Sequence, residues 1–126
     1  MLNSKSPCIL VVDDSNTNTL LLNAILKEKG YQINTSLSVK EASASITKQK
    51  PDLILLDLLM PKISGFDFLQ LLKRDEETRD IPVMVISAIT DEGVVKSIME
   101  LGAVDFLKKP IDIQYLVDRV EELLVP

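Results

Sequence analysis

Apolar residues fall along this chain in two alternating rhythms. Uninterrupted apolar runs occur at residues 8–12, 53–56 and 83–86, too short for helices and rich in branched side chains, so they read as strands. Between them the apolar positions take helical spacing. Leu21 with Ile25, and Leu22 with Leu26, recur until Gly30 stops the run, and Ser15 stands where an N-cap belongs. Val39, Ala42 and Ile46 mark a second helix, and Phe66, Leu69 and Leu72 a third. Val94, Val95, Ile98 and Met99 share one face of a fourth, stopped by Gly102, and Ile113, Leu116, Val117, Val120 and Leu124 outline a fifth. Two weaker strand-like runs complete the set. Residues 31–36 carry Gln32, Asn34 and Ser36, and residues 103–107 carry Asp105.

Five strands alternating with five helices predict a parallel sheet built through right-handed crossovers. Parallel strands covered on both faces must be apolar throughout, which puts the first, third and fourth strands inside. The second and fifth, with their polar residues, belong at the edges. The pattern predicts an α/β fold with helices on both faces of the sheet, compatible with a doubly wound, flavodoxin-like strand order of 2-1-3-4-5. No repeat, low-complexity tract or linker divides the chain, so residues 1–126 read as one domain with its core over about 7–124.

Composition narrows the chemistry. A chain of 126 residues buries roughly two-thirds of its unfolded surface and needs no staple. The 46% hydrophobic and 26% charged fractions belong to a soluble globular domain. A net charge of −5 argues against a nucleic-acid grip of its own. No apolar stretch approaches a membrane span, and the polar first seven residues lack the core of a signal peptide. The single cysteine, Cys8, lies in an apolar run and reads as a buried thiol, which favours the reducing cytoplasm. There is no histidine, so there is no histidine base, ligand or phosphohistidine. Chemistry must run on carboxylates, hydroxyls and lysines, and a hard cation is the metal for that set.

In such a sheet, ligands bind beyond the C-terminal ends of the strands, where strand order reverses. Strand one ends at Asp13 and Asp14, strand three at Asp57, strand four at Ser87, and strand five runs into Lys108, Lys109 and Pro110. Three carboxylates brought together repel one another, and octahedral Mg²⁺ relieves the repulsion. A carboxylate beside the metal can attack phosphorus and become an aspartyl phosphate. Lys109 and Ser87 are suitable groups to stabilise the phosphoryl oxygens.

Taken singly, each residue has a plainer reading. Asp13 and Asp14 suit a helix N-terminus, Asp57 a turn before Met60 and Pro61, and Ser87 a structural hydroxyl. Lys108 and Lys109 read as solvated lysines, Phe106 as part of the core, and Asn18 as a surface residue of the first helix. Their joint address on one sheet edge is what the plain readings leave unexplained.

The ordered motifs Ile9-Leu10-Val11-Val12-Asp13-Asp14, Pro51-Asp52-Leu53-Ile54-Leu55-Leu56-Asp57-Leu58-Leu59-Met60-Pro61, Gly65, Pro82-Val83-Met84-Val85-Ile86-Ser87-Ala88 and Gly102-Ala103-Val104-Asp105-Phe106-Leu107-Lys108-Lys109-Pro110 resemble the receiver domains of two-component response regulators. The resemblance covers about residues 7–124. It implies Asp57 as phosphoacceptor and Mg²⁺ held by Asp14, Asp57 and the backbone carbonyl of Leu59, with Asp13 acting directly or through water. It implies Lys109 on the phosphoryl group, a cis bond to Pro110, Ser87 closing over the phosphoryl group with the Ala88 N–H, and Phe106 changing rotamer as Ser87 moves. Ser87 replaces the commoner Thr, and Phe106 stands where many members have Tyr, so its movement is read through packing alone.

The family also implies a phosphohistidine donor, on a sensor histidine kinase or histidine phosphotransfer protein. It implies a downstream effector or fused output domain that reads about residues 91–124. An end just past the last helix, at Val125 and Pro126, suits a receiver cut from a longer protein. Two rivals remain. A dehalogenase-type phosphatase needs a second acid two positions after Asp57, where Leu59 stands, and flavodoxin-like or Walker-type phosphate loops are missing after strand one. A receiver-like module that binds partners without phosphorylation usually loses an acid or the lysine, and none is lost here.

Overall fold

The structure is a computed structural model and describes residues 6–58, 64–88 and 91–124. In chain order the elements are β1 (Cys8–Val12), α1 (Asn16–Glu28), β2 (Gln32–Ser36), α2 (Val39–Lys48), β3 (Leu53–Asp57), α3 (Gly65–Arg74), β4 (Val83–Ser87), α4 (Glu92–Glu100), β5 (Asp105–Lys108) and α5 (Ile113–Leu124). All strand pairs are parallel, in the order β2-β1-β3-β4-β5. The expected topology is therefore present. So is its cause: β1, β3 and β4 are buried at every position, whereas β2 and β5 are partly exposed.

Period-2 alternation divides the core in two. Ile9, Val11, Leu53, Leu55, Met84, Ile86 and Leu107 meet Leu22 and Leu26 of α1 and Leu116 and Val120 of α5. Leu10, Val12, Ile54, Leu56, Val83 and Val85 meet Val39 and Ala42 of α2, Phe68, Leu69 and Leu72 of α3, and Ile98 of α4. Of the two helical pairs in α1, Leu22 and Leu26 face the sheet, while Leu21 is 50% exposed. In α4 only Ile98 is fully buried, and Met99, expected on the inner face, is exposed. Phe68, absent from the expected third-helix stripe, is core.

The helices start and stop on short-range chemistry. Ser15, Ser38, Ser64 and Asp91 cap α1, α2, α3 and α4, each accepting a backbone N–H from the first turn. Gly30 and Gly102, the expected stops, take positive φ of 96° and 112° after α1 and α4.

Gly65 answers a different need. The start of α3 is pressed against the end of β3, and the Gly65 N–H donates to the Leu58 carbonyl at 2.9 Å. A Cβ there would press on the Asp57 carbonyl oxygen and lie 2.7 Å from Leu58 Cα, both of them backbone atoms that cannot step aside. We expect Gly65→Ala to cost about 1–3 kcal/mol, the usual range for overpacking, read as a lower urea midpoint with unchanged slope. An unchanged midpoint would show that α3 can shift outward freely.

Candidate functional site

The loops that carry the strand-end residues leave the sheet under control. Each extends the ladder by one further backbone bond: Asp13 N–H to Ser36 O at 3.1 Å, Leu58 N–H to Ile86 O at 3.2 Å, and Lys109 N–H to Ser87 O at 2.9 Å. The switch point lies between β1 and β3, since the chain crosses from β1 outward to β2 and then back to β3. Asp13 and Asp14 follow β1 and Asp57 ends β3, so the acids sit side by side at that crevice.

One oxygen from each of Asp13, Asp14 and Asp57 lies within 4.8 Å of the others. Asp13 and Asp57 are each only 5% exposed, while Asp14 is open to solvent. Lys109 reaches in from the end of β5 and shares its ammonium between two of them, with Nζ 3.7 Å from Asp13 Oδ2 and 3.6 Å from Asp57 Oδ1. These are ion-pair separations longer than direct hydrogen bonds, and their near equality leaves the lysine committed to neither acid. Ser87 is buried at 1% exposure at the end of β4, in register with Lys108. Lys108 itself is exposed, as expected. Phe106 is half-buried against the α2–α3–α4 half of the core. The Lys109–Pro110 peptide bond is cis. The Leu59 carbonyl, with Met60 and Pro61, lies outside the described residues.

The donor set fits a hard divalent cation. All three candidate ligands offer carboxylate oxygens, the donors a hard divalent cation takes, and one oxygen from each is close enough to the others to share an ion. Like charges this close are costly without a counter-ion, and among the described residues the ammonium of Lys109 pairs with two of the three carboxylates.

One residue of the site was misread from the sequence. Asn18, taken as surface, is half-buried, and its side-chain amide donates to Asp13 Oδ2 at 3.3 Å. The Ser15 N–H holds the other oxygen, Asp13 Oδ1, at 2.8 Å. The signal was present: Asn18 lies one turn before Leu22 and two before Leu26, and so continues their buried stripe towards the sheet edge.

A second polar cluster flanks Phe106. Asp105, read only as an edge-strand residue, accepts from Tyr115 Oη at 2.7 Å and Arg119 Nε at 2.9 Å, tying β5 to α5. Burial alone would push the Asp105 carboxyl up. The hydrogen bonds from Tyr115, the Phe106 N–H and Arg119 outweigh it and hold the group below the usual carboxylate range.

Comparison with known proteins bears on this geometry. Residues 9–121 match the family model described as the response regulator receiver domain. The chain is 44% identical over 115 residues to response regulator PleD of Caulobacter vibrioides, which covers 91% of this chain and 25% of that protein. It is 34% identical to sporulation initiation phosphotransferase F of Bacillus subtilis, over 98% of this chain and 96% of that one. Among solved structures, a response regulator receiver protein from Pseudomonas putida superposes with a TM-score of 0.90 at 31% identity, covering 95% and 99% of the two chains. The chain spans about half of some regulators it matches, such as RpaA of Synechocystis at 49%, and a quarter of PleD.

A depressed folded-state pKa stabilises above the unfolded value, and that stability is lost as pH falls through the folded value. Asp105→Asn should therefore lower the urea midpoint at pH 7, and the gap between parent and variant should close as pH drops below about 4, the unfolded carboxylate value. A gap that persists at the lowest pH would mean the cost is shape and not charge.

Proposed function

This chain belongs to the response regulator receiver domain family, and on that premise we propose that it is a phosphorylation-dependent signalling switch whose phosphoacceptor is Asp57. The observation that carries the reading is the meeting of Asp13, Asp14 and Asp57 around a lysine shared between two of them. In the proposed step an Asp57 carboxylate oxygen attacks phosphorus of a phosphohistidine. The new P–O bond forms as the P–N bond breaks, and the imidazole leaves with the electron pair. Lys109 would turn from the carboxylates to a phosphoryl oxygen. The Ser87 hydroxyl and the Ala88 N–H would donate to the others.

Asp13, Asp14 and Asp57 would hold Mg²⁺, with the Leu59 carbonyl that the family implies. Bound there, the metal supplies positive charge against the crowded carboxylates and the incoming oxygens. The chain acts on itself and not on a separate substrate, so it is not an enzyme in the ordinary sense.

With no histidine of its own, the chain must take its phosphoryl group from outside, from a sensor histidine kinase or histidine phosphotransfer protein. A relative that bears the name of a phosphotransferase agrees with such a relay. Longer relatives, one of them a DNA-binding regulator, agree with a reader in an effector or a fused output domain. The net charge of −5 leaves DNA contact to that reader. No helix among the described residues is long and apolar enough to cross a membrane, and the proposed partners place the switch in the cytoplasm.

Incubated with Mg²⁺ and a small acyl phosphate, the protein should gain one phosphoryl group by intact mass. Asp57→Ala should gain none, and EDTA should abolish the gain. Absence of any gain with every donor tried would favour a phosphorylation-independent binding module. Phe106→Ala should leave phosphorylation of Asp57 largely intact while shrinking the phosphorylation-induced amide NMR shifts over residues 91–124, because the ring's packing conveys the change. Equal loss of both would sink that division of labour.

A further inference from the structure

Among the described residues Asp13 Oδ2 has two polar neighbours, an ion-pair partner and a hydrogen-bond donor, and they differ in kind. One is the Lys109 ammonium at 3.7 Å, which is also 3.6 Å from Asp57. The other is the Asn18 amide at 3.3 Å. Resting on the switch reading, we infer that Asn18 is a positioning residue for the metal site: it holds Asp13 in its metal-binding pose both before and after Lys109 leaves for the phosphoryl group.

The need follows from burial. Asp13 is 5% exposed, so an oxygen abandoned by Lys109 has little water to turn to and would either stay unsatisfied or rotate. Rotation would spoil its use as a ligand. The two donors are suited to different tasks. A lysine ammonium rides on a long flexible stem and can change partner. The asparagine amide has a short stem, and its backbone is pinned. Asn18 N–H donates to the Ser15 Oγ cap at 3.3 Å, and Ser15 N–H donates to Asp13 Oδ1 at 2.8 Å. Asn18 and Asp13 are therefore referenced to the same capping residue. Only the amide nitrogen can face a carboxylate, so chemistry sets the amide's orientation. Being neutral, Asn18 steadies Asp13 without cancelling the charge that attracts a cation.

The test measures Mg²⁺ binding by titration calorimetry on the parent, Asn18→Leu, Asp13→Asn and the double variant. Leucine keeps the branched four-atom skeleton of asparagine, in a larger volume, and removes the donor. Loss of a partner that orients a metal ligand typically weakens affinity 10–100-fold, and one bond at 3.3 Å belongs at the lower end, so Asn18→Leu should bind about tenfold more weakly. Asn18→Ser, whose hydroxyl is too short to reach Asp13, should reproduce that loss. In the Asp13→Asn background the change at residue 18 should shrink to within about twofold, the scatter of independent sites.

Affinity within about twofold of the parent for both Asn18 variants would overturn the inference, as would a tenfold loss that persists without the Asp13 carboxylate. A parent that binds no Mg²⁺ would instead remove the switch reading, and this inference with it. That result is distinct from a parent that binds and variants that do not differ.

Discussion

The molecule is organised around like charges held at the C-terminal edge of a parallel sheet. Parallel pairing forces every strand to end on the same side, so residues far apart in sequence arrive at one crevice. Three of those residues are acids whose oxygens lie within 4.8 Å, two of them nearly sealed from water. No isolated domain gains stability from that. The rest of the neighbourhood reads as accommodation: a lysine split between two acids, a backbone N–H and an amide on Asp13, and a glycine where α3 must approach the end of β3. A site that is costly when empty of positive charge responds strongly to its arrival, and a switch needs that property.

The sheet was legible because burial on two faces leaves no alternative composition. β1, β3 and β4 have no polar position before the final residue, and that alone separated centre from edge. That Asp13, Asp14, Asp57, Ser87 and Lys109 fall on one edge was legible for a related reason: the first four close apolar runs, Lys109 follows the last strand, and parallel topology gives all strand ends one side. Features that depend on which way a helix turns were harder to see. In α1 two apolar pairs compete for the sheet, Leu21 with Ile25 and Leu22 with Leu26, and the choice between them also decides whether Asn18 faces water or Asp13. Asp105 hid differently. An edge strand excuses a carboxylate, and its partners Tyr115 and Arg119 lie on the next helix, at spacings that strand periodicity does not reveal.

The same layout says how a change at Asp57 could be felt at a distance. Lys109 and Ser87 are joined through the backbone, Lys109 N–H to Ser87 O, so the ends of β4 and β5 move as a pair. Phe106, three residues before Lys109, packs against the half of the core that holds Ile98, the one fully buried side chain of α4. With one fully buried side chain, backed by the partly buried Val94, α4 is cheaper to displace than α5, which buries Leu116 and Val120. On the other flank, Asp105 clamps β5 to α5 through Tyr115 and Arg119. On the proposed switch reading, a rearrangement that begins with Lys109 and Ser87 would meet a stiff neighbour on the α5 side and a compliant one on the α4 side. Displacement follows compliance, so on the proposed reading α4 is where the chemistry at Asp57 would become a change of surface.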